Sequence, residues 1–280
     1  MDFANLSSFA QKKYGQNFLK DETFLEKIIE ARPKNNLPIV EIGPGLGDLT
    51  RRLIQVGRVR AYEVDKRLYE YLLKKFQSPI IEGRLELIQK DILTHSGSLL
   101  EEAFVLIANL PYYIATTIIL NALRDENCKD ILVMVQKEVA QKLSAQVGQK
   151  EFTSLAILTQ SVADAKILFE VPPSAFVPSP KVDSAFIHIK KRANLCDKNF
   201  EKFIKEATKQ PRKKLIKNLS TSYAKEKLQK LFEKLNIPLT ARPHEVEVSA
   251  YHQIYKELIK DMIDGKRKKD SRDKGSSNSS

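Results

Sequence analysis

The four consecutive residues Asn109-Leu110-Pro111-Tyr112 are a set that could hold a planar amine. An asparagine side-chain oxygen and the Leu110 carbonyl, kept rigid by the following proline, make two acceptors converging on one spot. The Tyr112 ring adds a stacking face. Two acceptors edge-on and a ring face-on suit an exocyclic NH2 on a nucleobase. The competing reading is a plain turn after a strand, where Asn and Pro are common. A second candidate is Glu41-Ile42-Gly43-Pro44-Gly45-Leu46-Gly47-Asp48. Its G-x-G-x-G spacing is neither the G-x-G-x-x-G of dinucleotide binders nor a P-loop. Gly43, Gly45 and Gly47 let the backbone turn sharply beside a ligand. Glu63 lies 20 residues after Gly43, where a carboxylate accepts hydrogen bonds from both ribose hydroxyls. Loop and acid together point to a ligand with a ribose. A loop without a clear pyrophosphate cradle favours S-adenosylmethionine over NAD. A tight turn and a surface acid are the alternative. Asp91, in Lys90-Asp91-Ile92, is placed to accept from an adenine amino group, although acids after strands are common.

These residues need a scaffold that brings strand ends together. Apolar runs at 37–42, 59–64, 84–88, 104–108 and 131–135 alternate with helical patterns at 48–56, 66–76, 114–124 and 137–145. Such alternation predicts an α/β, parallel, doubly wound sheet. Two further strands are expected at 164–170 and 182–190, flanking Val171-Pro-Pro-Ser-Ala-Phe-Val-Pro-Ser-Pro180, whose prolines require an extended loop. After residue 192 the texture changes to Lys- and Glu-rich amphipathic stretches at 198–209, 211–219, 224–235 and 249–263. The expected organisation is a catalytic domain over 1–192, a small all-α domain over 193–264, and a disordered basic, Ser-rich tail over 265–280.

The 280 residues carry 47 Lys and Arg against 35 Asp and Glu, a formal net charge of +12. Residues 195–280 hold 21 basic and 12 acidic side chains, and residues 1–194 hold 26 and 23, so the last third carries most of the excess. An anionic partner is expected, nucleic acid first and a membrane surface second; solubility plus a basic tail is the bland reading. Apolar content of 42% and charged content of 29% exclude wholesale disorder, collagen and a membrane bundle. The opening residues lack the pattern of a secretory signal. Two cysteines, Cys128 and Cys196, make neither a disulfide framework nor a zinc site, so no metal and a reducing cytoplasm are expected.

Seven segments occur in a telling order: Lys13-Tyr14-Gly15-Gln16-Asn17-Phe18-Leu19, EIGPGLGDLT, EVD, KDIL, NLPYYIATTII, MVQKEVAQKL and FEVPPSAFVPSPKVDSAF. Together they resemble the ribosomal RNA adenine dimethyltransferases, above all the bacterial enzymes that dimethylate two adjacent adenosines near the 3′ end of small-subunit rRNA. The resemblance covers roughly residues 10–260. It implies a Rossmann-like seven-stranded S-adenosylmethionine-dependent methyltransferase fold with a small C-terminal all-α domain. It also implies a monomer that acts on rRNA of the immature small subunit, in the cytoplasm. Residue by residue, it implies that Asn17 and Leu19 contact S-adenosylmethionine, that Gly43 and Gly45 belong to its loop, that Glu63 holds its ribose and that Asp91 holds its adenine. Asn109 would bridge cofactor and target with the Leu110 carbonyl, Tyr112 would stack on the target adenine, and Phe176 would form the second aromatic wall.

The chain departs from the family's pattern at the basic helix. Here it reads Thr208-Lys209-Gln210-Pro211-Arg212-Lys213-Lys214, with Pro211 where the family has an arginine; a first-turn proline is compatible with a helix there. Lys209, Arg212, Lys213, Lys214 and Lys217 are candidates for phosphate contacts, which would make RNA binding fall steeply with salt; a solvated helix face is the alternative. An adenine N6 lone pair is delocalised into its ring, so two acceptors that draw the amine toward tetrahedral geometry would activate it, and positioning would supply most of the catalysis. His95, His188, His244 and His252 fall outside the motifs, so no general base is evident. Three alternatives remain: a large-subunit rRNA dimethyltransferase of the antibiotic-resistance type, a factor that mainly checks ribosome assembly, and a DNA adenine methyltransferase.

Overall fold

The computed structural model describes residues 15–195 and 197–259. Lys13, Tyr14, Cys196 and the expected tail at 265–280 lie outside those residues. The described chain forms two compact units. One runs to Ser144 and resumes over Val162–Cys196; the other takes Ala145–Ser161 and the chain from Asp197 onward. A single cut near residue 193 therefore misses a segment: 145–161 packs with the C-terminal helices, with the Gly148 amide donating to the His244 carbonyl at 2.7 Å.

The first unit is built on nine strands: β1 (Phe18–Leu19), β2 (Ile39–Ile42), β3 (Val59–Glu63), β4 (Leu85–Gln89), β5 (Phe104–Asn109), β6 (Cys128–Gln136), β7 (Ala163–Val171), β8 (Phe176–Val177) and β9 (Ser184–Lys191). Seven of them form one sheet in the order β4-β3-β2-β5-β6-β9-β7. The first five are mutually parallel. Only β9 runs the other way: it pairs antiparallel with both β6 and β7, which leaves β7 in the direction of the first five. The parallel pairing expected from the strand–helix alternation holds for the first five strands, and β9 enters antiparallel because the Pro-rich link from β7 to β9 contains no crossover helix, which a parallel pair requires. Every residue of β2 is buried, and so are the first five of β5, as expected for strands covered on both faces.

The helices of this unit are started by side chains where the sequence supplies them. Asp21 caps Glu22–Glu30 through the Thr23 amide at 2.9 Å, and Asp65 caps Lys66–Lys75 through the Arg67 amide at 3.0 Å. Each such cap contributes about 1 kcal/mol. Two helices lie outside the expected helical stretches, Glu22–Glu30 and Ser154–Val162.

The segment 171–180 is not purely an extended loop. Pro173–Ala175 makes a 3-10 turn, and Phe176–Val177 forms β8, which pairs antiparallel with β1 in the register Phe18↔Val177 and Leu19↔Phe176. Prolines flank β8, so none of its amides is lost to the pairing. This two-stranded ribbon anchors the N-terminal segment.

In the second unit, Lys198–Ala207, Leu215–Leu219, Lys225–Lys234 and a last helix from residue 248 to 259 surround a core that includes Phe203, Leu228, Phe232, Tyr251 and Ile254. The helix expected over 211–219 starts only at Leu215. Pro211 sits in the preceding turn, which the buried Asn218 side chain pins by donating to the Ala207 and Gln210 carbonyls at 2.7 and 3.2 Å.

Candidate active site

In the sheet, chain order reverses between β2 and β5. Open α/β sheets bind ligands outside the carboxyl ends of the strands at such a switch point. A cleft open to solvent lies there. Its lining includes Asn17, Leu19, Gly43, Gly45, Glu63, Asp91, Asn109, Leu110 and Tyr112. Residues separated by up to 95 positions in the chain thus meet at one site.

The glycine loop follows β2. Gly43, Gly45 and Gly47 have φ of 70°, 60° and 78°, a region that L side chains rarely adopt. Space excludes side chains at two of these positions as well. A Cβ on Gly45 would stand 2.9 Å from Phe18, and one on Gly47 would stand 2.5 Å from Phe76. Phe18 belongs to β1, so the N-terminal segment closes directly over the loop.

Glu63 ends β3 and is only 3% exposed. Its two carboxylate oxygens accept from the Gly45 amide at 3.3 Å and the Asp65 amide at 2.9 Å. Burial pushes its pKa up to about 7, opposed by those amides. Asp65, the neighbouring acid, has different work: it pairs with Arg67 at 2.9 Å and accepts from Gln16 at 3.4 Å. At Asp91, one oxygen accepts from the Leu93 amide at 2.9 Å.

Asn109 closes β5. Its amide nitrogen donates to the Asn17 carbonyl at 3.0 Å, which commits the NH2 end and leaves the side-chain oxygen as the acceptor. The Leu110 amide donates to Met134 at 3.2 Å, and the Ile114 amide returns to the Pro111 carbonyl at 3.2 Å. The tetrad is therefore locked at both ends. The half-buried Tyr112 shares a hydrogen bond of 2.5 Å with the Ser184 hydroxyl at the start of β9. Burial pushes the Tyr112 phenol above its usual range, with the Ser184 bond opposing.

Phe176 is not part of this lining. It is 1% exposed and packs in the core with Leu19, Leu25 and Phe186, among others. It stands opposite Leu19 across the β1–β8 ribbon, behind the cleft lining to which Leu19 belongs. No histidine lines the cleft. His188 instead bonds Asp130 at 2.6 Å within the sheet. Among the described residues, no three His, Cys, Asp or Glu side chains group as a metal site.

Glu41 was not assigned a role from the sequence. It is 1% exposed, lines the cleft and accepts from the Thr50 hydroxyl at 2.7 Å. Burial pushes its pKa up to about 8, Thr50 opposes, and the nearby Glu63 and Asp48 charges add to the rise. The folded protein therefore binds a proton here that the unfolded chain, with a carboxyl near 4.5, releases. Stability from this group is complete below about pH 4.5 and is lost as pH rises through about 8. Glu41→Gln keeps an acceptor for Thr50 and removes the titration. Its unfolding free energy, measured in urea, is expected to fall less between pH 5 and pH 9 than that of the unaltered protein, by an amount on the order of a few kcal/mol; parallel pH dependences would refute the assignment.

The five basic candidates lie in the second unit. Lys209, Arg212, Lys213 and Lys214 occupy the turn pinned by Asn218, and Lys217 lies in the helix after it; all five are exposed. None of the five takes part in a salt bridge among the described residues.

The sheet, with its glycine loop and its acid-ended third strand, defines a Rossmann-like methyltransferase. The solved dimethyladenosine transferase from Plasmodium falciparum superposes with a TM-score of 0.74 at 22% identity, over 87% of this chain and 98% of that one. The family model for ribosomal RNA adenine dimethylase matches residues 8–260. The chain belongs to that family. Curated relatives named ribosomal RNA small subunit methyltransferase A include one from Sulfurimonas denitrificans, 53% identical over 93% of this chain and 97% of its own length. Another, from Aliarcobacter butzleri, is 51% identical over 88% and 95%. No helix of the described residues is long and apolar enough to cross a membrane.

Proposed function

We propose that this protein transfers methyl groups from S-adenosylmethionine to N6 of two adjacent adenosines near the 3′ end of small-subunit rRNA, giving N6,N6-dimethyladenosine during subunit maturation. The observation that carries this reading is the convergence of the glycine loop, Glu63 and Asp91 with Asn109–Tyr112 in a single cleft. The chain's own chemistry fits the cofactor. Glu63 keeps two carboxylate oxygens in a dry setting, where hydroxyl donors are bound strongly, and Gly45 leaves room for close backbone approach. When bound, the cofactor supplies a sulfonium-activated methyl group.

The protein's part is to hold the amine. The Asn109 side-chain oxygen and the Leu110 carbonyl accept the two N6 hydrogens, which localises the nitrogen lone pair. Tyr112, steadied by Ser184, offers the face against which the adenine ring stacks. After the first transfer one N–H remains, so one acceptor suffices for the second, and the released proton goes to water. Lys209, Arg212, Lys213, Lys214 and Lys217 supply phosphate contacts from a preformed turn. The names of the curated relatives favour the small subunit over the large one.

Primer extension on rRNA from cells lacking this protein tests the reading. Reverse transcription should pass through two adjacent adenosines that block it in complemented cells. Two unchanged blocks in the deletion strain would overturn it, and methylation found only on the large subunit would redirect it.

A further inference from the structure

The turn that carries Tyr112 carries a second ring. Pro111 to Ile114 form a hydrogen-bonded turn, closed by the Ile114 amide on the Pro111 carbonyl at 3.2 Å. Its two central residues, Tyr112 and Tyr113, have opposite fates. Tyr112 is half-buried, with its hydroxyl tied to Ser184. Tyr113 is 59% exposed and also lines the cleft. Its ring lies along the Gly15 backbone, where an added Cβ would come within 3.3 Å of Cδ1. Gly15 has a φ of 56°, so a glycine lets the N-terminal segment back the ring closely. Val64 and Leu93, which line the same cleft, are exposed as well. The cleft thus offers an aromatic surface to solvent beside the anchored tyrosine.

Apolar side chains gathered along a groove, unlike ones scattered singly, mark interaction sites, and Tyr113 shares this cleft with the exposed Val64 and Leu93. Drawing one base out of an RNA stack leaves its neighbour with an uncovered face. Aromatic side chains cover such faces whatever the base, because every base has a π-face. We propose that Tyr113 is a docking platform for the nucleotide next to the target adenosine, stacking on that base while the target occupies the cleft. This rests on the methyl-transfer reading and adds to it a specific RNA contact. Tyr113 touches neither the reacting nitrogen nor the methyl donor, so its loss weakens capture of RNA and spares the chemical step.

Three variants test this on small subunits purified from the deletion strain. Tyr113→Ala is expected to raise KM for the subunits about tenfold or more, with kcat and calorimetric affinity for S-adenosylhomocysteine unchanged. Tyr113→Phe, which keeps the ring, is expected to stay within about twofold of the unaltered protein. With p-benzoylphenylalanine at position 113, photo-crosslinking should stop reverse transcriptase at a nucleotide flanking a methylated adenosine. An unchanged KM for Tyr113→Ala, an equal defect in Tyr113→Phe, or crosslinks only at distant nucleotides would each overturn the proposal. Absence of any transfer by the unaltered protein would instead overturn the underlying function.

Discussion

Asn109→Ala is expected to lower methyl transfer by about a thousandfold while the protein stays folded. The scale follows from removing one preorganised polar contact at a reacting group, which costs roughly a hundredfold to a thousandfold. The substitution removes the side-chain oxygen that would hold the amine. It also deletes the bond from Asn109 to the Asn17 carbonyl at 3.0 Å. That bond is part-buried and worth about 1 kcal/mol, so Tm should drop by only a few degrees. The N-terminal segment keeps its other ties, including the β1–β8 pairing and Gln16 to Asp65 at 3.4 Å. Asn109→Asp should fail too, because its carboxylate would face the Asn17 carbonyl with no hydrogen to donate. Single-turnover transfer of labelled methyl, run beside thermal unfolding, separates the two effects. Near-normal transfer by Asn109→Ala would remove Asn109 from the mechanism.

Glu63→Gln should weaken cofactor binding by about a hundredfold or more. Hydrogen bonds to a charged partner are each worth about 1.5–3 kcal/mol, and the carboxylate would accept from two ribose hydroxyls. An amide is a poor replacement here for a geometric reason. The two oxygens already receive the Gly45 and Asp65 amides, one each. Glutamine can accept from only one of these and would point its NH2 at the other. The same residue predicts a pH dependence. With a pKa raised to about 7 in the unliganded protein, Glu63 is increasingly neutral below that pH and loses acceptor strength. Affinity for S-adenosylhomocysteine should therefore be flat above about pH 8 and fall toward tenfold per unit well below pH 7. Calorimetry across pH 5.5–8.5 would show it; an affinity that rises as pH falls would contradict the ribose assignment.

The parts of this protein that are local in the chain were legible without coordinates. The strands β2 to β6 follow from short apolar runs between amphipathic stretches, and their ends fall within a few residues of expectation. The glycine loop could be read because three glycines in five residues after a strand have few other uses. Glu63 could be read because it stands one βα unit further on, at the end of the adjacent strand. Asn109, Leu110 and Tyr112 could be nominated because proline and asparagine at a strand exit hold their acceptors in place.

What failed was non-local. Nothing near Tyr112 indicates that its hydroxyl would meet Ser184, 72 residues later. The resemblance offered Phe176 as an aromatic wall, and only packing places its ring among core side chains, 1% exposed. The strand at β9 was legible but its direction was not, since that depends on a link without a crossover helix and a strand's alternation carries no direction. Residues 145–161 sit between two elements of the first unit in the chain, and only packing assigns them to the second. Pro211 suits a helix start, but Asn218 holds a turn there instead.

From residue type and spacing alone came the chemistry on offer: acceptors for an amine, a carboxylate for a ribose, an aromatic face, and cations for a polyanion. Tertiary structure decided which of these share one cleft, which end of the Asn109 amide remains available, and which ring faces inward. Propensity and motif are properties of a few neighbouring residues. Register, burial and the partner across a sheet depend on contacts whose sequence separation no local pattern encodes.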